Sequence, residues 1–158
     1  MFREMRRGKQ QLSFDECVEI LKRGSSGVLA VMGDDGYPYA VPLSYVYHDN
    51  ALFFHGATSG HKLDAIRQNE KFSFCVIDQD EVIPEKLTSA YRSVIAFGKA
   101  HILEDETEIR AAAQMLGQKY SPGMDELINK EIETYMRHMA VVRLDIEHIT
   151  GKLGKELL

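Results

Sequence analysis

Between the apolar run Ala51 to His55 and the amphipathic stretch that begins at Leu63, the chain reads Gly-Ala-Thr-Ser-Gly-His-Lys. Small residues let backbone approach a ligand, hydroxyls can donate to it, and a helix start exposes unpaired N–H groups with partial positive charge. Thr58, Ser59, Gly60, His61 and Lys62 therefore have the composition of a phosphate site. The same run is also an ordinary way to cap a helix and leave a lysine exposed in its first turn. Residue types alone leave both readings standing. His55, at the end of the apolar run, is either a structural histidine or a group turned toward a cleft.

Other chemistries find less support. His48 falls in a turn, His101 on a late strand, His138 at a helix end and His148 near the tail, with no i, i+4 pair or carboxylate cluster for a metal. Cys17 and Cys75 lack any CxxC or Cys/His ligand spacing and read as buried small apolar residues, not as a disulfide framework or zinc site. There is no GxSxG elbow, GxxxxGK[ST] loop or GxGxxG fingerprint. Tyr37, Tyr39, Tyr45 and Tyr47 alternate along one segment, as a ligand-facing stripe or a packed sheet face would. A net charge of −5 argues against a protein that coats nucleic acid.

The elements that must position these residues follow from periodicity. At 158 residues with 44% hydrophobic content, the chain has the size and apolar share of one domain with a real core. Residues 1–12, with Arg3, Arg6, Arg7 and Lys9, read as a solvated arm. Ser13 and Glu16 form a capping-box pattern for a helix in which Phe14, Val18 and Leu21 recur until Gly24. Strands are expected at Gly27–Met32, then as a second and third strand around the turn residues His48, Asp49 and Asn50. A short helix carrying Leu63 and Ile66 follows, then the strand KFSFCVID and the strand SVIAFGKAHIL, where Gly98 predicts a bulge or bend. Residues 104–138 read as a helical insertion: one helix starts at Asp105, and Ser121 and Pro122 serve as N-cap and first position of another reaching about His138. Alternation of Val142, Leu144 and Ile146 with Arg143, Asp145 and Glu147 marks a last half-buried strand. About six strands with helices inserted at two places predict a mainly β, antiparallel barrel with peripheral helices. No stretch has the roughly 20 apolar residues of a membrane span and the N-terminus lacks an apolar signal region, so a cytoplasmic protein is expected.

The segments DGYPYAVPLSY, FFHGATSGHKLD, YRSVIAFGKA and HITGK together resemble the FMN-binding split-barrel superfamily of pyridoxamine 5′-phosphate-oxidase-like proteins. Within it the chain most resembles the 5-nitroimidazole-resistance (Nim-type) reductases. The resemblance implies a six-stranded split β-barrel that forms a homodimer, with two FMN molecules in clefts between the subunits. Carried over by position, Val41, Pro42, Leu43 and Ser44 would line the flavin with strand backbone, and His55 would sit beside the ring as the catalytic candidate. Thr58, His61 and Lys62 would hold the phosphate, and Ser93 would contact the flavin edge. The implied activity passes electrons from a reduced nicotinamide, NADH or NADPH, through FMN to a small acceptor, with nitroaromatics among the candidates. The alternative is a dimeric module that binds flavin or haem without turnover. Two departures bear on substrate and affinity. Ala40 stands at the strand start where the oxidases carry arginine, and the chain ends in HITGKLGKELL, which argues against vitamin B6 oxidation. The pair His61-Lys62 replaces two permanent cations, so FMN affinity is expected to be weaker or to depend on pH.

Overall fold

The computed structural model describes all 158 residues. Seven strands form one antiparallel sheet: β1 (Gly27–Met32), β2 (Pro38–Leu43), β3 (Val46–His48), β4 (Ala51–Gly56), β5 (Lys71–Ile83), β6 (Thr88–Ile102) and β7 (Ala140–Leu153). Their order is β2-β1-β5-β6-β7-β4-β3. The two edge strands β2 and β3 are joined by Ser44 and Tyr45 alone, so the sheet has to curl until its edges approach. No ladder joins them, and the barrel stays split.

The expected count of six strands is thus corrected to seven, because the segment Tyr39 to Tyr47 breaks at Ser44-Tyr45. The physical reason lies in Tyr45. Its side chain is fully buried against Phe74, and its hydroxyl donates to the Leu21 carbonyl at 2.6 Å. Its backbone N–H donates to the Tyr120 hydroxyl at 2.9 Å, and its carbonyl accepts from Lys119 Nζ at 2.8 Å. Backbone groups satisfied by side chains need no ladder partner, so pairing lapses there. The tyrosine stripe is mostly a packed face: Tyr39 and Tyr47 lie against the core while Tyr37 is 74% exposed.

Helix α1 (Phe14–Arg23) starts at a complete capping box of Ser13 and Glu16 and stops at Gly24, as its sequence predicts. Its buried face is Cys17, Ile20 and Leu21, one step round from the expected stripe, and Phe14 is exposed. Cys17 is buried as read, and its thiol is pushed up to about 11 by burial; Cys75 is only half-buried, on the outer sheet face. Helix α2 (His61–Gln68) packs Leu63, Ala65 and Ile66 into the main core. Helix α3 (Glu106–Tyr120) lies against β4 and β7, and α4 (Asp125–Tyr135) pairs with α3 through Ile128 at Gly117, where a Cβ would strike the isoleucine. The expected start of α4 at Ser121-Pro122 is corrected: Ser121 is the C-cap of α3, and Gly123 at φ +77° makes the turn. Gly98 does mark the bend, with the β6–β7 register shifting beside it and the Asp145 carbonyl occupying the space of a side chain.

The N-terminal arm is also less solvated than expected. Gln10 and Leu12 are buried, Gln11 bridges to Lys152, and Phe2 stacks on His148 with ring centroids 4.6 Å apart.

Candidate functional site

Strand β4 is buried along Ala51 to Phe54 because it lies between β7 and β3 with the core on one side and α3 on the other. Its last residues, His55 and Gly56, pair with Val141 and Ala140 and run out into the turn Ala57 to Gly60. His55 reaches the surface there, and its packing holds the imidazole below the ordinary histidine range by desolvation. Its resting form at neutral pH is therefore the neutral ring.

The turn leads straight into α2. Gly60 takes φ +145°, a conformation that suits glycine, and no side chain caps the helix. The first backbone donor of α2 with an internal partner is Asp64 N–H, on the Gly60 carbonyl, so the amides before it face outward. Thr58 and Ser59 are exposed beside them and do not cap the helix. Lys62 turns back over Gly56, where the missing side chain leaves room: a Cβ there would lie 3.9 Å from Nζ. Unpaired amides, hydroxyls and an ammonium thus gather at the turn that follows His55. His61 goes elsewhere. Its ring packs on Tyr39 with centroids 4.0 Å apart, and Nε2 is 3.9 Å from the Asp34 carboxylate in the β1–β2 turn.

Of the four β2-to-β3 residues, Val41 and Leu43 pack against the core, while Pro42 and Ser44 face out. As an edge strand, β2 presents one row of backbone groups without ladder partners, so the contact expected there has to run through main chain. Ser44 does join His55: both line a cavity of about 530 Å³ between the end of β4 and the helices α3 and α4. Ser93 does not join them. It pairs with Lys152, whereas His55 pairs with Val141, at the opposite end of β7.

Sequence reasoning missed the far wall of this cavity, which Leu127, Glu131, Tyr135 and His138 supply. A spacing of four places Leu127, Glu131 and Tyr135 on one stripe of α4, with His138 in the tight turn that follows, and two large residues on an otherwise polar face were the available signal. Tyr120 fixes the rim, its hydroxyl bound between Ser25 and Tyr45. No cluster of three or more metal-ligating side chains occurs.

Residues 13–153 match the family model described as pyridoxamine 5′-phosphate oxidase. The chain belongs to that family. The resemblance to pyridoxamine 5′-phosphate-oxidase-like proteins read from its motifs is borne out by this match, and solved structures share the fold. One is a conserved hypothetical protein from Mycobacterium tuberculosis, with a TM-score of 0.84 at 19% identity over 98% of this chain and 92% of that one. Another is a candidate 5-nitroimidazole antibiotic resistance protein from Bacteroides thetaiotaomicron, with a TM-score of 0.74 at 19% identity over 90% and 86% of the two chains. A third is an FAD-binding protein from Mesorhizobium loti, with a TM-score of 0.62 at 26% identity over 92% and 98%. A comparison with curated sequences finds no relative. The family's antiparallel sheet with peripheral helices is the fold observed. No helix is long and apolar enough to cross a membrane.

Proposed function

We propose that the protein is a flavin-dependent oxidoreductase of the Nim type, carrying electrons from a reduced nicotinamide to a small acceptor, with FMN as its flavin. The observation that supports this most is the continuity of two chemistries across eight residues, His55 to Lys62. An uncapped helix start with Lys62 beside it suits a phosphate, and His55, seven positions before Lys62, opens on an apolar cavity. A flavin mononucleotide has those two ends. When bound it would supply the redox chemistry, since no residue of the cavity is itself a redox centre.

The chain's own residues then have distinct tasks. The α2 amides, Thr58 and Lys62 hold the phosphate, and Lys62 supplies the fixed charge. His61, packed on Tyr39 and near Asp34, fixes the start of α2 and contributes its backbone N–H. Main chain of Val41 to Ser44 borders the ring. His55, neutral at rest, hydrogen-bonds the ring or acceptor and can take up a proton there. Ser93 reaches the same flavin only from a second copy of the chain, which makes the site a property of a homodimer. The outer sheet face suits that role: Pro42, Val28, Cys75, Ile95 and Thr150 form one cross-strand row, with Val28 and Ile95 37% and 38% exposed.

The test is the colour and redox response of the purified protein. Yellow protein that releases FMN and is bleached anaerobically by NADH or NADPH supports the enzyme; yellow protein that neither nicotinamide bleaches supports a binding module. The likeness at 26% identity to an FAD-binding protein favours one second reading, FAD in place of FMN. Chromatography of the released flavin separates the two.

A further inference from the structure

The cavity behind His55 is lined with aliphatic side chains, among them Leu116, Leu127, Ile128, Ile132 and Met139, and by no lysine or arginine. Its single carboxylate is Glu131, on α4, and its remaining ionisable groups are His55, His138, Tyr120 and Tyr135. At 530 Å³ it falls in the range that holds drug-sized ligands and exceeds what a lone five-membered ring fills. An anion placed there would give up part of its hydration to the aliphatic walls, meet no fixed positive charge and face the exposed Glu131. The phosphate chemistry of the molecule lies on the other side of Gly56, with Lys62.

We propose that this cavity is the acceptor pocket and that it selects neutral or weakly basic, mainly apolar molecules against anions, with Glu131 as the specificity-determining residue. Only the word acceptor rests on the flavin reading; the charge preference follows from the lining. Phosphorylated substrates such as pyridoxamine phosphate are thereby excluded from the pocket, in line with the absence of any cation to receive them.

A matched pair of fluorescent probes tests this on the full-length protein at pH 8, above the ordinary histidine range: N-phenyl-1-naphthylamine, which is neutral, and its sulfonated analogue 1-anilinonaphthalene-8-sulfonate. The neutral probe is expected to bind about tenfold or more tighter. Glu131→Gln should narrow that ratio by about threefold, and Leu127→Lys should raise affinity for the sulfonate by about threefold or more. Both positions are exposed, and circular dichroism with urea midpoints confirms folding. Equal binding of the two probes, no binding of the neutral one, or an unchanged ratio in both variants would overturn the proposal. Flavin content is measured on the same samples. Colourless protein that keeps the preference undoes the flavin reading alone, and yellow protein without the preference undoes the pocket proposal alone.

Discussion

At the residue scale, the site divides its charges between two side chains that differ in kind. Lys62 has no carboxylate in reach and room above Gly56, so its ammonium is available to an anion. Lys62→Ala is expected to weaken flavin binding by about tenfold or more, the scale of one charge-assisted hydrogen bond, with fluorescence quenching as the readout. His55 behaves differently because desolvation favours its neutral form. In the unfolded chain it takes up a proton near the ordinary value of 6.5, and in the folded chain only at lower pH. Unfolding therefore binds a proton in that window, and stability falls as pH drops from 6.5 toward the lowered value. NMR titration should find the His55 ring titrating below 6.5, and His55→Gln should flatten that part of the stability profile. The phosphate-like run was legible from residue types, but the direction of His61 was not. Nothing in Gly-His-Lys says that the imidazole will lie on Tyr39, twenty-two residues earlier, because that contact depends on how β2 and α2 meet.

Elements place those residues, and two polar ties hold the elements. Arg23 at the end of α1 grips Asp78 with two hydrogen bonds of 2.7 Å, and Arg92 on β6 adds a third at 3.1 Å. Asp78 sits where the β5–β6 register shifts, so the bulge aims it back at the helix. The Arg23 hydrogen bond leads in holding its carboxyl below the ordinary 3.8. That stabilisation is full above 3.8 and disappears as pH falls through the lowered value. Asp78→Asn should cost about 1–2 kcal/mol at pH 7, allowing for the exposed arginine, and the difference from wild type in urea unfolding should shrink in acid. The second tie is Lys119, whose ammonium bridges the Gly24 and Tyr45 carbonyls over the Tyr45 ring. Lys119→Met leaves both carbonyls without that donor and should destabilise by about 1–3 kcal/mol. Periodicity located the four helices and, with β2 and β3 taken as one, the strands in outline. It missed the break at Ser44-Tyr45 because the alternation of Tyr39, Tyr45 and Tyr47 continues through it, and the partners that interrupt pairing come from α3. It placed α4 too early because Ser-Pro is both a good helix start and a good helix exit, and only packing against α3 decides between them.

At the scale of the whole molecule, Ser93 is the expected site residue that lies far from the rest within one chain. Ser93 and His55 pair with opposite ends of β7, and a mainly apolar row with Val28 and Ile95 more than a third exposed runs across the outer sheet face. Ile95→Glu is expected to shift the protein from dimer to monomer in light scattering and to lower flavin retention with it, because the cleft would lose its second wall. A monomeric variant that keeps its flavin would place the whole site within one chain. The fold itself was legible because four motifs spread over most of the chain resemble one superfamily; the cavity wall on α4 was not, since a helix stripe reveals its purpose only when its neighbour is known. The central claim is that the turn from His55 to Lys62 cradles a flavin phosphate and ring together. Titration of flavin-free protein with FMN, followed by the visible absorption of the ring, tests it most directly. Saturation at one FMN per chain with a perturbed flavin spectrum, weakened in Lys62→Ala, is the result predicted. A folded protein that leaves the spectrum of added FMN unchanged would contradict it.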